Sequence, residues 1–163
     1  MVLSGRTVKD LSQPQSGTAL AEAVLQVVDG IDILVNNAGI PMRRTPEVLT
    51  EEDVDDVFSI NVRSLVMLSL GLGPSMRERG GGSIVNISSV AGLVGPLGRV
   101  AYAVDAMTRA LAADWGHHNT RVNSIAPGII TTAIWEESRN TIPGLIETIA
   151  VDGGKPEFHE DDD

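Results

Sequence analysis

The 163-residue sequence contains no cysteine and almost no lysine. Without cysteine, disulfides, thiolate nucleophiles and cysteine–zinc sites are all excluded. Lys9 and Lys155 are the only lysines, and the sequence has no basic run. Binding to DNA or RNA requires a stripe of basic side chains that neutralises phosphates, so we expect no nucleic-acid partner. Aromatic residues make up only 3% of the chain, which argues against base-stacking platforms and aromatic ligand cages.

Long apolar runs are missing as well. No stretch approaches the roughly 18 consecutive apolar residues of a membrane span, and the first residues lack the apolar core of a signal peptide. We therefore expect a cytoplasmic protein with no membrane partner. The three histidines, His117, His118 and His159, do not have the i, i+4 spacing of a helical metal pair, so the sequence predicts no metal site.

Acidic side chains are in excess and are concentrated at one end of the chain. The formal net charge is −10, and about half of it comes from residues 157–163, which contain five acids and neither Lys nor Arg. Hydrophobic residues make up 42% of the sequence and charged residues 21%, which is typical of a globular domain. The predicted organisation is a single domain over residues 1–156, followed by a solvated acidic tail over residues 157–163.

The interior alternates between short β-branched segments and amphipathic segments. Strands are predicted at residues 31–36, 83–88 and 121–126. Helices are predicted at residues 17–28, from Thr50 onward and from about Tyr102 onward. Thr50 precedes three acidic residues, a pattern that predicts a helix N-cap. Strands that alternate with helices predict an α/β fold, in which a parallel sheet has helices on both faces.

Polar and turn-forming residues follow each predicted strand. The first strand runs into Asn36–Gly39, the second into Ser88–Ser89, and the third into Pro127–Thr132. Each segment, taken singly, is also consistent with ordinary turn chemistry. In parallel α/β sheets, however, ligands bind outside the carboxyl ends of the strands. We therefore look for chemistry at this edge of the sheet.

Taken together, these segments resemble the short-chain dehydrogenase/reductase family. The resemblance covers most of residues 10–154 and implies a Rossmann-like doubly wound parallel sheet. It also implies NAD or NADP as cofactor, an alcohol or carbonyl compound as substrate, and a homo-oligomer, either a dimer or a tetramer. The segments that carry it are Asn36-Asn37-Ala38-Gly39, the Ser-Ile-Asn run ending at Asn61, Gly82 to Ser89, Tyr102, Pro127-Gly128 with Thr132, and Val151-Asp152-Gly153-Gly154.

The resemblance implies a catalytic set of Asn61, Ser89 and Tyr102. Ser89 would polarise the substrate carbonyl, and Tyr102, the only tyrosine in the chain, would be the general acid/base. A phenol with a lowered pKa can exchange the hydroxyl proton that accompanies hydride transfer. Asn61 would hold a water in the proton relay, but an amide in the apolar stripe of a helix is equally consistent with bonds to backbone carbonyls. Ser88 is less suited than Ser89, because strand alternation points it to the other face.

The resemblance also implies a cofactor site built from loop backbone. Residues 37–39 would approach the ribose, and the segment after the third strand would line the nicotinamide and the pyrophosphate. A short Asp-containing turn near the start would touch the adenine, although so short a match is also consistent with an ordinary turn. The implied cofactor-binding residues are Asp10, Leu11, Asn37, Ala38, Gly39, Ile87, Pro127, Gly128, Ile129 and Thr132.

Three parts of the family pattern are missing from the sequence. The Thr-Gly-x-x-x-Gly-x-Gly turn that holds the pyrophosphate in the family is absent. A helix is missing as well: residues 142–147, which resemble the family's substrate-covering segment, run directly into residues 148–154, which resemble its final strand. Ala106 stands where the family has a lysine four residues after the tyrosine. Arg109 is a poor substitute, because a guanidinium does not accept a proton. Two functions therefore stay open: an NAD(P)-dependent oxidoreductase, or a catalytically inactive truncated member that acts as an oligomerising or interaction module. Either would leave sheet edges and one sheet face uncovered.

Overall fold

A three-stranded parallel sheet lies at the centre of this computed structural model, which describes residues 10–41, 47–94, 104–128 and 130. The strands β1 (Ile33–Asn36), β2 (Gly82–Ile87) and β3 (Thr120–Ile125) lie side by side in that order. In the register, Leu34 pairs with Ile84 and Ile84 with Val122. The three predicted strands are confirmed, and their ends differ from the predicted ones by at most two residues.

Helices connect the strands, and a capping box starts the second of them. The helices are α1 (Ser16–Leu25), α2 (Glu51–Phe58), α3 (Ser64–Glu78), α4 (Ala91–Val94) and α5 (Val104–Trp115). A π-helical segment, Ser59–Arg63, joins α2 to α3, and a 3₁₀ turn, Gly116–His118, follows α5. The Thr50 hydroxyl accepts a bond from the Asp53 N–H, and the Asp53 carboxylate accepts one from the Thr50 N–H. The predicted N-cap is therefore confirmed.

The core lies on one face of the sheet. Leu34, Ile84 and Val122 point to this face from the three strands. Helices α3 and α5 pack on the strands and α1 packs on α3, and the helices contribute Ala21, Leu72, Met76 and Leu111 to the core. On the opposite face Ile33 is 67% exposed, Val35 56% and Ile125 53%. Within the described residues the helices that pack on the sheet lie on one face, so the Rossmann-like parallel sheet is present in incomplete form. The alternating burial of the strands follows directly from this one-sided packing.

The spacing of Val54, Val57, Phe58, Val62, Leu65 and Val66 predicts an apolar stripe on the helix that begins after Thr50, and the structure confirms it only in part. Val57 is 3% exposed and Leu65, at the start of α3, is 6% exposed, but Phe58 is 39% exposed. Val57 and Phe58 are neighbours in sequence and project about 100° apart on the helix, and here Val57 faces the core while Phe58 lies toward solvent. Val57 packs with Ile40, Leu49 and Val54 in a small cluster beside the main core.

The continuous helical segment Glu51–Glu78 is long and apolar enough to cross a membrane, judged by length and composition alone. In the structure, its residues Leu72 and Met76 are 2% and 0% exposed and pack against the strands. Its apolar residues therefore include part of the sheet's own core, which accounts for the composition.

Several predicted features lie outside the described residues. Among them are Tyr102, Ile129 and Thr132 of the predicted site, the closing segment 151–154 and the acidic tail 157–163.

Candidate active site

The loops that leave β2 and β3 meet at the carboxyl edge of the sheet. The Ser88 N–H donates to the Ile125 carbonyl at 2.7 Å, and the Val90 N–H donates to the Pro127 carbonyl at 3.0 Å. The pairing of the two strands thus continues beyond their ends. Ser89 lies between these two bonds, so the backbone on both sides of it is fixed.

Ser88 and Ser89 have different hydrogen-bond partners. Ser89 Oγ accepts a bond from the Ala91 N–H at 3.1 Å, at the start of the short helix α4. Ser88 Oγ instead donates to Asp105 Oδ2 at 2.6 Å. A hydroxyl that accepts one bond still has its own proton to donate, so the bonding of Ser89 is compatible with a second bond to a carbonyl oxygen.

Asn61 lies in the π-helical segment and fixes the loop that follows β1. Its Oδ1 accepts from the Ile40 N–H, and its Nδ2 donates to the Ile40 carbonyl, both at 2.8 Å. A Cβ built on Gly39 would lie 3.4 Å from Asn61 Oδ1, so the loop passes close to this amide. The side chain is half-buried. The alternative of an amide bonded to backbone is thus what the structure has, with one carbonyl and one N–H as partners, and the proton-relay role stays a prediction.

A chain of buried side-chain amides links β1, β2 and α5 below the site. Asn36 Nδ2 donates to Asn86 Oδ1 at 2.9 Å, and Asn86 Nδ2 donates to Thr108 Oγ1 at 2.9 Å. Asn36 Nδ2 also lies 3.1 Å from Ser69 Oγ on α3. Asn86 is 0% exposed and Asn36 8%. This network ties the loop after β1 to the strand that leads to Ser89, because Asn36 and Asn86 are register partners.

The carboxylate of Asp105 connects α5 to the ends of two strands. Oδ2 accepts from Ser88 Oγ and Oδ1 accepts from Ser124 Oγ, each at 2.6 Å. Asp105 lies in the first turn of α5 and is half-buried. No sequence motif singles out Asp105, whose only signal is an acidic side chain in the first turn of a predicted helix.

Among the described cofactor residues, those after β1 and β3 present backbone to solvent. Asn37, Ala38 and Gly39 are exposed, and so is Gly128, where an added Cβ would meet nothing within 4 Å. Ile87 and Pro127 are half-buried. Open backbone at a strand edge leaves room for a flat ring and a ribose, so these residues fit one half of a dinucleotide.

Asp10 and Leu11 precede α1. The Asp10 carboxylate accepts bonds from the Ser12 hydroxyl at 2.8 Å and the Ser12 N–H at 3.0 Å. These bonds, with a longer one from Gln13, lower the pKa of Asp10. Leu11 is half-buried, and its carbonyl accepts from Ser16 Oγ. Because α1 packs against Ser64 at the start of α3, this turn lies at the same end of the molecule as Asn61.

The position of the missing lysine lies on the first turn of α5. Ala106 is exposed there, and Arg109 is exposed one turn further along the helix. A cleft of about 220 Å³, lined by residues such as Trp115 and Thr120, lies at the opposite end of the sheet.

Comparisons with known proteins agree with this arrangement. Residues 6–143 match the short chain dehydrogenase family. The chain is 38% identical over 133 residues to cyclopentanol dehydrogenase from Comamonas sp. (strain NCIMB 9872), covering 78% of this chain and 53% of the relative. It is 35% identical over 162 residues to gluconate 5-dehydrogenase from Gluconobacter oxydans (strain 621H), covering 83% and 63% respectively.

Solved structures give the same result. A short-chain dehydrogenase from Streptomyces avermitilis superposes with a TM-score of 0.71 and 33% identity, covering 77% of this chain and 48% of that one. A gluconate 5-dehydrogenase from Burkholderia cenocepacia, solved with NADP and tartrate, has a TM-score of 0.71 and 28% identity, covering 77% and 51%. The chain thus spans about half the length of these two proteins. Since the family match extends over most of the sequence, the chain belongs to the short-chain dehydrogenase family.

Proposed function

We propose that this chain acts as an NAD(P)-dependent oxidoreductase, which transfers a hydride between a nicotinamide cofactor and an alcohol or carbonyl substrate. The observation that carries the proposal is the joining of the Ser89 and Pro127 loops through the Val90 N–H and the Pro127 carbonyl, 3.0 Å apart. A substrate carbonyl must reach a hydrogen-bond donor and a hydride donor at once. A continuous edge that carries both loops meets this requirement.

Each proposed catalytic residue has a specific task. The Ser89 hydroxyl donates a hydrogen bond to the substrate oxygen, while Ser89 Oγ still accepts the hydrogen bond from the Ala91 N–H. Asn61 holds the loop that contains Gly39 through its two bonds to Ile40. Tyr102, two residues before α5 in the sequence, exchanges the proton with the substrate, as the family pattern implies.

The proposed cofactor is NAD or NADP, which supplies or accepts the hydride when bound. Asn37, Ala38, Gly39, Pro127 and Gly128 form the described part of its site. No Gly-rich phosphate turn is present in the sequence, so these residues hold the nicotinamide and ribose half. The remaining proposed contacts are Asp10, Leu11, Ile87, Ile129 and Thr132.

The proposal extends to substrate, assembly and compartment. The relatives are named for cyclopentanol and gluconate, which supports a small alcohol or its carbonyl counterpart as substrate. The mostly apolar segments 93–97 and 134–145 are consistent with many such compounds. We further propose a cytoplasmic homo-oligomer, a dimer or tetramer, since the chain has no cysteine and family members of this kind assemble through apolar helix faces.

The test compares two serine substitutions on the same strand and its exit. Purified protein is assayed with NADH or NADPH on a panel of ketones, and with NAD+ or NADP+ on the matching secondary alcohols. Ser89→Ala should lower kcat/KM by about 100- to 1000-fold. Ser83→Ala is the matched control, because Ser83 is half-buried at the opposite end of β2 and should leave kcat/KM unchanged. A folded wild-type chain that binds neither NADH nor NADPH and shows no turnover would refute the proposal.

A second function is favoured by one sequence difference and one surface. Ala106 replaces the lysine of the family pattern, and the sheet face that carries Ile33, Val35 and Ile125 is exposed. Both features suit a catalytically inactive member that acts as an oligomerising module. Sedimentation and an NADH-binding assay on the wild-type chain distinguish the two functions. A defined oligomer that does not bind NADH supports the oligomerising module, whereas NADH binding supports the oxidoreductase.

A further inference from the structure

The Asp105 carboxylate is the one group in the described residues that bonds side chains from the ends of both β2 and β3. Its two oxygens accept hydrogen bonds from the hydroxyls of Ser88 and Ser124, at 2.6 Å each. Ser124 pairs with Asn86 in the register, and the Ser88 N–H bonds the Ile125 carbonyl, so the two serines lie on neighbouring strands at the same edge. One side chain of α5 thus holds two strand ends from the helix-covered face.

These bonds are of the strong kind. Hydroxyl-to-carboxylate hydrogen bonds are about twice as strong as neutral ones. Asp105 is half-buried, and so are Ser88 and Ser124, so competition from water is reduced. Its place in the first turn of α5 also puts the negative charge at the positive end of the helix dipole. An acid that faces solvent in this turn would interact with the helix dipole equally well, so the dipole does not explain why Asp105 contacts the two serines.

We propose that Asp105 is a positioning residue, which fixes the strand end that carries Ser89. Ser89 lies between Ser88, held by Asp105 and Ile125, and Val90, held by the Pro127 carbonyl. Loss of the carboxylate removes the side-chain contact on one side of Ser89 and leaves two hydroxyls without their acceptor. The inference rests on the proposed function only for the role of Ser89.

Hydrogen exchange read by mass spectrometry on the full 163-residue chain tests this without any turnover. Asp105→Ala should speed exchange about tenfold at the amides of residues 86–91 and of residues 122–126. Ser88→Ala should speed it only in the first segment, and Ser124→Ala only in the second. The amides of β1 and of residues 82–84 should exchange as in wild type in all three variants.

A matched control comes from the other end of the same helix. Asp114 is an exposed acid in the last turn of α5, and Asp114→Asn removes the same charge away from the strand ends. It should leave exchange unchanged in both segments. If Asp105→Ala does not fold, the same exchange measurement is made on Asp105→Asn, which keeps one acceptor oxygen, and on the two serine variants. Faster exchange confined to the two segments then supports the positioning role.

Faster exchange spread evenly over the sheet would show a general loss of stability and overturn the positioning role. Unchanged exchange in both segments would overturn it as well. If the two-segment pattern appears but wild-type protein neither binds NADH nor turns over any alcohol, the positioning inference stands and the proposed function fails.

Discussion

At the scale of single residues, polar side chains occupy inward positions of the sheet where apolar ones are usual. Asn36 and Asn86 lie on the covered face of β1 and β2, beside Leu34 and Ile84. Their amides bond each other and also Ser69 and Thr108, so the cost of burying them is offset. Each amide has few positions in which it satisfies its partners, so the network specifies how β1, β2, α3 and α5 fit together.

Asn86→Ala should lower the free energy of unfolding by about 2–4 kcal/mol. The substitution leaves a cavity at a fully buried position and removes the acceptor of Asn36 Nδ2 and the donor to Thr108. Urea unfolding followed by circular dichroism measures the change. Asn123→Ala, on the exposed face of β3, is the control and should change stability by less than about 0.5 kcal/mol. Equal effects of the two substitutions would show that the buried network does not stabilise the fold.

The exposed turn at Asp10 makes a prediction about pH. Folding lowers the pKa of Asp10 from its ordinary value of 3.8, chiefly through the Ser12 hydroxyl and then the Ser12 N–H. The ionised form therefore favours the folded state: the contribution is present above pH 3.8 and is lost as the pH falls through the lowered pKa. In an NMR titration, Ser12→Ala should move the midpoint of Asp10 upward, whereas Ser83→Ala should not. A midpoint unaffected by Ser12→Ala would contradict the assigned cause.

At the scale of elements, α1 and α3 pack closely because both carry glycine at their contact. A Cβ built on Gly17 would lie 2.6 Å from the Ser64 carbonyl oxygen, and one built on Gly71 would lie 2.5 Å from the Ala21 Cβ. Neither obstacle is a flexible side-chain end. The small residues thus set the distance between the two helices.

Gly71→Ala should therefore destabilise the protein by about 1–2 kcal/mol, although alanine is the better helix former. Overpacking against Ala21 outweighs the gain in helix propensity, which is at most about 1 kcal/mol. The control is Gly116→Ala, where an added Cβ meets nothing within 4 Å, and it should be neutral or slightly stabilising. Thermal unfolding of both variants gives the comparison, and a higher Tm for Gly71→Ala would show that α1 and α3 are not in close contact.

At the scale of the whole molecule, helices cover one sheet face within the described residues, and apolar side chains on the other face are exposed. Ile33, Val35 and Ile125 form an apolar patch on the exposed face, and the two outer strands have free edges within the described residues. Apolar patches and open edges of this kind promote association.

We expect the isolated chain to bind the dye ANS and to self-associate. The double substitution Val35→Thr with Ile125→Thr should reduce both, because it lowers the apolar area of the exposed face. Sedimentation velocity and ANS fluorescence measure the two effects. Val48→Thr is the control: Val48 is 57% exposed in the loop before α2, away from the sheet. A monomer that melts sharply and binds no ANS would contradict the prediction.

The sequence predicted the order and kind of the central elements because local patterns determine them. Thr50 and its following acids specify a helix start, and β-branched runs between Gly and Pro specify buried strands. It also predicted that polar exits from the strands share an edge. It did not predict that Val57 faces the core and Phe58 does not, nor that Asn86 is fully buried, since both depend on which neighbour each side chain meets.

The sequence by itself determined the family, the parallel α/β arrangement and the candidate residues Asn61 and Ser89, because motif spacing and periodicity are properties of the chain alone. Only the tertiary structure decided that Asn61 bonds Ile40 through both amide atoms and that Asp105 joins Ser88 to Ser124. It also decided that Ile33, Val35 and Ile125 are exposed on the sheet face opposite the described helices. The hydrogen bonds of Asn61 and Asp105 join residues that are 17 to 21 positions apart in the sequence. Such contacts depend on how helices pack on the sheet, which no local pattern records.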